Sequence, residues 1–240
     1  MALQKGDFIL IDYTAKIKET GEAFDTTNEQ NAKTAHLHKE GETYEPKLIV
    51  IGEGWMLKPL DEAFVTMEPA KTATVEIPPE KAFGPRDPEK IRRVPLKQLY
   101  AKGVENPAIG ARIEFGGKMA TIRSIGAGRV LLDFNPPLAG RTLIYKVTVQ
   151  KQLETKDEKM LALIHRRIPI ADPAKFKLTL EPNMLTADMP EETFYLEGIQ
   201  VAKRGIAMDV QKYFPETTTI RFVETHKTEA PKPERPATKA

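Results

Sequence analysis

The segment Ile77-Pro-Pro-Glu-Lys-Ala-Phe-Gly84 constrains the fold more than any other stretch of the chain. Lys71 to Ile77 alternates in the manner of a strand with one buried face. Two consecutive prolines then remove two backbone N–H donors, so the ladder must stop at Pro78-Pro79 and the chain turns through an aromatic–glycine corner.

Other elements follow from period and punctuation. Gly6 to Lys18 mixes a short apolar run with alternation and is rich in β-branched and aromatic residues, which predicts a first strand. Glu19 to Glu22 is a turn, and residues 26 to 46 are polar without a steady period, so they read as a long loop. Leu48 to Ile51 is a strand closed by Gly52-Glu-Gly54. Leu57, Leu60, Ala63 and Phe64 then recur at helical spacing over residues 55 to 66. Residues 85 to 134 form a mainly antiparallel unit of their own. Arg92 to Val94 is a short strand, Pro95 is suited to open a small helix as its first residue, and two alternating runs flank Gly116-Gly117 as a hairpin. Gly128 to Phe134 closes that unit as a strand. Beyond Val149, helices over 157–168 and 199–213 and strands over 176–180 and 218–223 predict a small α+β domain. From His226 the Lys, Pro, Glu, Thr and Ala residues offer almost nothing to bury, so a disordered tail over 226–240 is expected.

Composition excludes several classes of function. There is no cysteine, which removes disulfides, thiolate catalysis and cysteine metal sites. Thirty-six basic and 34 acidic residues are interleaved and give +2, a balance that demands neither nucleic acid nor a membrane surface. No apolar run approaches the ~20 residues that span a bilayer, and the N-terminus lacks the basic and apolar regions of a signal peptide, so a cytoplasmic location is expected. His36-Leu-His38 places two imidazoles on one side if the loop is extended, where Glu40 or Glu42 could complete a Zn²⁺ or Ni²⁺ site. The plainer reading is an exposed polar loop, and neither a metal nor any other cofactor is expected.

Five motifs in order carry a resemblance: Tyr13 in the first strand, Phe24-Asp25, Val50-Ile-Gly-Glu-Gly54 before the helix, Ala82-Phe-Gly84, and Leu138-Ala-Gly140 with Leu143, Tyr145 and Val147. Together they resemble a peptidyl-prolyl isomerase domain of the FK506-binding-protein (FKBP) type carrying an inserted flap, as in SlyD-like isomerases and their long archaeal relatives. The resemblance implies an α+β fold with a half-open antiparallel sheet wrapped on a short helix. It places the isomerase domain at 1–84 and 135–152, the mainly-β flap at 85–134 and a small α+β domain at 155–225.

It also implies a prolyl pocket. Tyr13, Phe24, Asp25, Phe83 and Tyr145 would be its catalytic residues, with Met56, Leu57 and Leu60 binding substrate. Leu60 stands where many relatives carry Trp or Phe as the floor, and Trp55 lies five residues earlier. Without the resemblance, Tyr13, Phe24, Phe83 and Tyr145 read first as core aromatics of a β domain, and Tyr13 and Tyr145 fit a core face in either case. The flap would capture unfolded or partly folded proline-containing chains through Val94, Leu96, Leu99 and Tyr100, with Ile109, Met119 and Ile122 as further candidates. The flap needs some of these for its own core. The domain at 155–225 implies added chaperone surface or a homodimer contact, while a purely structural role fits its residues as well. The expected activity is acceleration of proline-limited folding; the alternative is a non-catalytic holdase or assembly factor on the same fold.

Overall fold

The computed structural model describes residues 3–227 of the 240-residue chain. The expected tail lies outside these residues except for His226 and Lys227. Two units emerge, dividing between Lys151 and Gln152.

In the first unit, period-two burial builds the main sheet. Strand β1 (Phe8–Ile17) turns Ile9, Ile11, Tyr13 and Ala15 inward, and β9 (Leu143–Leu153) does the same with Leu143, Tyr145, Val147 and Val149. The order is β2-β1-β9-β4, with β2 (Ala23–Thr26), β3 (Lys47–Val50) and β4 (Thr72–Ile77) completing five strands. β2 and β3 are both antiparallel to β1 and lie end to end, β2 opposite Thr14 to Lys16 and β3 opposite Phe8 to Ile11. β4 pairs antiparallel with β9 and ends at Ile77, where the prolines begin. The short helix α2 (Lys58–Phe64) buries Leu60 and Phe64 in the same core. Asp61, itself buried, holds the preceding turn by accepting from the backbone N–H of Gly52 at 3.0 Å and of Gly54 at 3.3 Å. The fold is therefore α+β, with a half-open sheet wrapped on a short helix.

Between Gly84 and Asn135 the chain leaves this sheet and builds a second one. Its order is β5-β8-β7-β6, all antiparallel, from β5 (Ile91–Pro95), β6 (Arg112–Phe115), β7 (Lys118–Gly126) and β8 (Arg129–Asp133). Gly116 and Gly117 both take positive φ, +64° and +74°, in the tight turn of the β6–β7 hairpin. Helix α3 (Leu96–Tyr100) begins one residue later than expected; Pro95 ends β5 and caps the helix rather than opening it.

The two connections to this second sheet run side by side. Gly140 donates its N–H to the Gly84 carbonyl at 2.8 Å. Asp133, 1% exposed, accepts from Arg86 at 2.6 Å, Arg123 at 3.0 Å, and the backbone and side-chain nitrogens of Asn135 at 3.0 and 2.8 Å. Asn135 in turn donates to the Asp87 carbonyl and accepts from its N–H, each at 2.9 Å. Burial pushes the Asp133 carboxyl up, but these donors outweigh it and hold the group below the usual aspartate range.

The second unit pairs two helices with a three-stranded sheet. A capping box of Thr155 and Glu158 starts α4 (Lys156–Arg167). β10 (Lys177–Glu181) is antiparallel to β11 (Met184–Asp188). After α5 (Ile199–Tyr213), β12 (Thr219–Val223) adds parallel to β11. Arg167 grips Asp209 with both arms of its guanidinium, at 2.7 and 2.9 Å, tying α4 to α5.

Two expectations need correction. Residues 26–46 are not all loop: Asn28 caps a short helix, α1 (Glu29–Thr34). Leu99 and Ile122 are fully buried in the core of the inserted sheet with Ala120, Val130 and Leu132, so neither can present a face to another chain. A small unit has few residues with which to form a core, and these two fill it. Among the described residues no helix is long and apolar enough to cross a membrane.

Candidate active site

The aromatic cluster is assembled where β1, β2 and β9 come together. Tyr13 and Tyr145 are buried neighbours with ring centroids 5.8 Å apart, and Phe24 meets the Tyr145 ring edge-on at 6.0 Å and 84°. Aromatic pairs favour that edge-to-face arrangement because the positive ring edge meets the negative face. The backbone of Tyr13 is fixed from both sides. Its N–H donates to Thr27 Oγ1 at 2.9 Å, and its carbonyl accepts from Thr27 N–H and Thr26 Oγ1, both at 3.0 Å.

The hydroxyl of Tyr13 donates to Asp25 Oδ2 at 2.6 Å. Burial, followed by that hydrogen bond and the charge of Asp25, pushes the Tyr13 phenol well above its ordinary range. Burial and the same carboxylate push Tyr145 up to about 12. Both phenols therefore stay neutral at physiological pH. The Tyr13 proton is already committed to Asp25, which leaves this hydroxyl without a free donor.

The remaining expected pocket residues lie at different depths. Leu60 is fully buried within the same core, and Met56, Leu57 and Trp55 are partly buried against it. Ala82 packs on that core too, but its neighbour Phe83 is 44% exposed, following a short 3-10 turn at Pro79–Lys81 that is closed by Gly84 N–H to the Pro79 carbonyl at 2.7 Å. Of the inserted-sheet candidates, Val94 and Leu96 are partly buried on their own core. Tyr100, Ile109 and Met119 are at least half exposed.

The two histidines do not converge. His36 takes a left-handed φ of +55° instead of an extended one. His38 turns to stack on Tyr44 at 5.4 Å, with Glu29 3.5 Å from its Nε2. Among the described residues no three His, Asp or Glu side chains gather where they could hold a metal. One residue at the cluster escapes the sequence reading. Lys47, at the start of β3, donates its ammonium to Tyr13 Oη at 3.1 Å and lies 5.3 Å from the centre of that ring. Nothing in its local sequence marks it, because its partner is 34 positions away.

Comparison with known proteins agrees with this architecture. A family described as FKBP-type peptidyl-prolyl cis-trans isomerase matches residues 1–100. Families described as "FKBP26, IF domain" and "FKBP26_C-terminal" match residues 92–138 and 156–227. A short-type peptidyl-prolyl cis-trans isomerase of Methanocaldococcus jannaschii is 34% identical over 148 residues, 62% of this chain and 92% of that protein. A 16 kDa FKBP-type isomerase of Escherichia coli is 26% identical over 62% of this chain and 92% of its own length. The Helicobacter pylori isomerase SlyD is 28% identical over 50% and 66% respectively. With its half-open sheet, its buried tyrosine pair and this range of matches, the chain belongs to the FKBP-type peptidyl-prolyl cis-trans isomerases.

Proposed function

We propose that the cluster of Tyr13, Phe24, Asp25 and Tyr145, with Phe83 at its rim, isomerises X–Pro bonds, and that the inserted sheet delivers unfolded chains to it. The observation that carries the reading is the edge-on Phe24–Tyr145 pair beside a Tyr13 hydroxyl fixed by Asp25. Twisting an X–Pro bond crosses a barrier of ~18–20 kcal/mol because amide resonance is lost. A catalyst needs no nucleophile and no metal; it must hold the twisted amide better than either planar form. Aromatic and aliphatic walls strip water from the prolyl carbonyl, which disfavours the charge-separated planar amide. Phe24 and Phe83 grip the proline ring while Met56, Leu57 and Leu60 supply the apolar base. No proton is transferred, so Asp25 serves to orient Tyr13.

Tyr100 at the end of α3, Ile109 in the loop before β6 and Met119 on β7 are each at least half exposed and support the second part of the proposal, since exposed apolar groups suit a stretch of unfolded chain. The partners are proline-containing polypeptides that have not yet folded, and the setting is the cytoplasm. Proline-limited refolding tests the reading, because uncatalysed isomerisation takes tens of seconds. The intact chain should accelerate that slow phase. Deleting residues 86–133 should leave tetrapeptide isomerisation largely intact and reduce catalysed refolding, and the adjacency of Gly84 and Gly140 allows a short closure. Equal loss of both activities would refute the division of labour. Protection of the refolding chain without acceleration would favour a holdase.

A further inference from the structure

Lys47 gives the cluster a positive group beyond the aromatic walls. Its carbon chain starts opposite Ile11 on β1, and its ammonium reaches the same Tyr13 oxygen that donates to Asp25. That phenol oxygen therefore accepts from Lys47 at 3.1 Å and donates to Asp25 at 2.6 Å. An ammonium carries three N–H bonds, and among the described residues only one of the three has a protein acceptor.

The anions nearby accept hydrogen bonds and donate none. The Asp25 carboxylate accepts from the Tyr13 hydroxyl, and Glu42, whose charge is felt at Tyr13, lies 3.6 Å from Lys39. Tyr13 and Tyr145 are neutral. The charged donor with unused N–H bonds at this edge of the cluster is thus Lys47.

Resting on the prolyl-pocket reading above, we infer that Lys47 is a specificity residue and that the pocket favours peptides with an acidic side chain next to the proline. A carboxylate there can take the two unused N–H bonds without disturbing Tyr13. A partly exposed pair of this kind shifts an equilibrium by roughly twofold to fivefold and is screened by salt.

The test is cis–trans exchange measured by NMR on the intact chain. Tetrapeptides carry Glu, Gln or Lys immediately before the proline in one series and immediately after it in another. With the natural sequence, kcat/KM should rank Glu above Gln and Gln above Lys in at least one series, with each step roughly twofold to fivefold. Lys47→Met should bring the ratios to one, Lys47→Arg should preserve them, and Lys47→Glu should invert them; 1 M salt should flatten the natural protein's profile. Each ratio is internal to one protein sample, so a partly unfolded variant still reports. Catalysis with a flat charge profile, or a Glu preference that survives Lys47→Met, overturns the inference and leaves the pocket standing. No catalysed exchange with any peptide overturns both.

Discussion

Asp133→Ala should loosen the inserted sheet while leaving the main sheet almost untouched. The magnitude follows from what the carboxylate holds. Arg86 and Arg123 are 41% and 35% exposed in their side chains, so both recover water when Asp133 is truncated and contribute little to the loss. Asn135 is 8% exposed, and its backbone N–H and one of its amide N–H bonds point at Asp133. Leaving two buried donors unpaired costs about 1–3 kcal/mol each, so the total is about 3 kcal/mol once some relaxation is allowed. Asp133→Asn keeps an acceptor for Asn135 but turns an amide N–H₂ toward the arginines, and should cost about half as much.

Native-state hydrogen exchange is the assay, because it reads local opening where a multi-sheet chain does not unfold in one step. Amides of Ile122 and Leu132 should exchange about a hundredfold faster in Asp133→Ala, the equivalent of ~3 kcal/mol. Amides of Ile11 and Val147 should change little. A change below about twofold at Ile122 and Leu132 would mean that the clasp contributes nothing. An equal change in both sheets would mean that they open together, which would remove the reasoning from local donors.

Other consequences can be measured directly. Leu60→Ala removes a fully buried side chain from the main core and should destabilise the first unit by about 2–5 kcal/mol in denaturant unfolding followed by Trp55 fluorescence. A loss below 1 kcal/mol would show that the site collapses around the gap. Tyr13 and Tyr145 are raised in the folded protein, so their contribution to stability is complete below the unfolded value near 10 and is lost as pH rises through their folded values. Ultraviolet titration should show two tyrosines that fail to ionise at pH 10–11, with stability falling only above about pH 10. Ionisation of all six tyrosines together would refute the burial argument.

Most of the fold was legible wherever a local signal was strong. The two-residue period of β1 and β9, the Gly116-Gly117 turn and the helical stripe over residues 199–213 each need only neighbouring residues to be recognised. Helix α1 was hidden because five of its six residues are polar and only Ala32 is buried, so there is no stripe to read. β11 was missed because Met184-Leu-Thr-Ala-Asp188 has little β-branched character and is held by strands on both sides. Leu99 was misjudged because which apolar residues of a small unit turn inward depends on how its sheet closes. The family resemblance brought Tyr13, Phe24, Asp25 and Tyr145 into view, whereas the hydrogen bond from Lys47 to Tyr13 depends on the antiparallel pairing of β3 with β1.

The most direct test of the prolyl pocket is cis–trans exchange of a single X–Pro tetrapeptide, compared between the natural chain and a triple variant, Tyr13→Ala, Phe24→Ala and Phe83→Ala, shown to remain folded by circular dichroism. Catalysed exchange is expected with the natural chain, and its loss, by at least tenfold, with the variant. Full activity in the folded triple variant would contradict it.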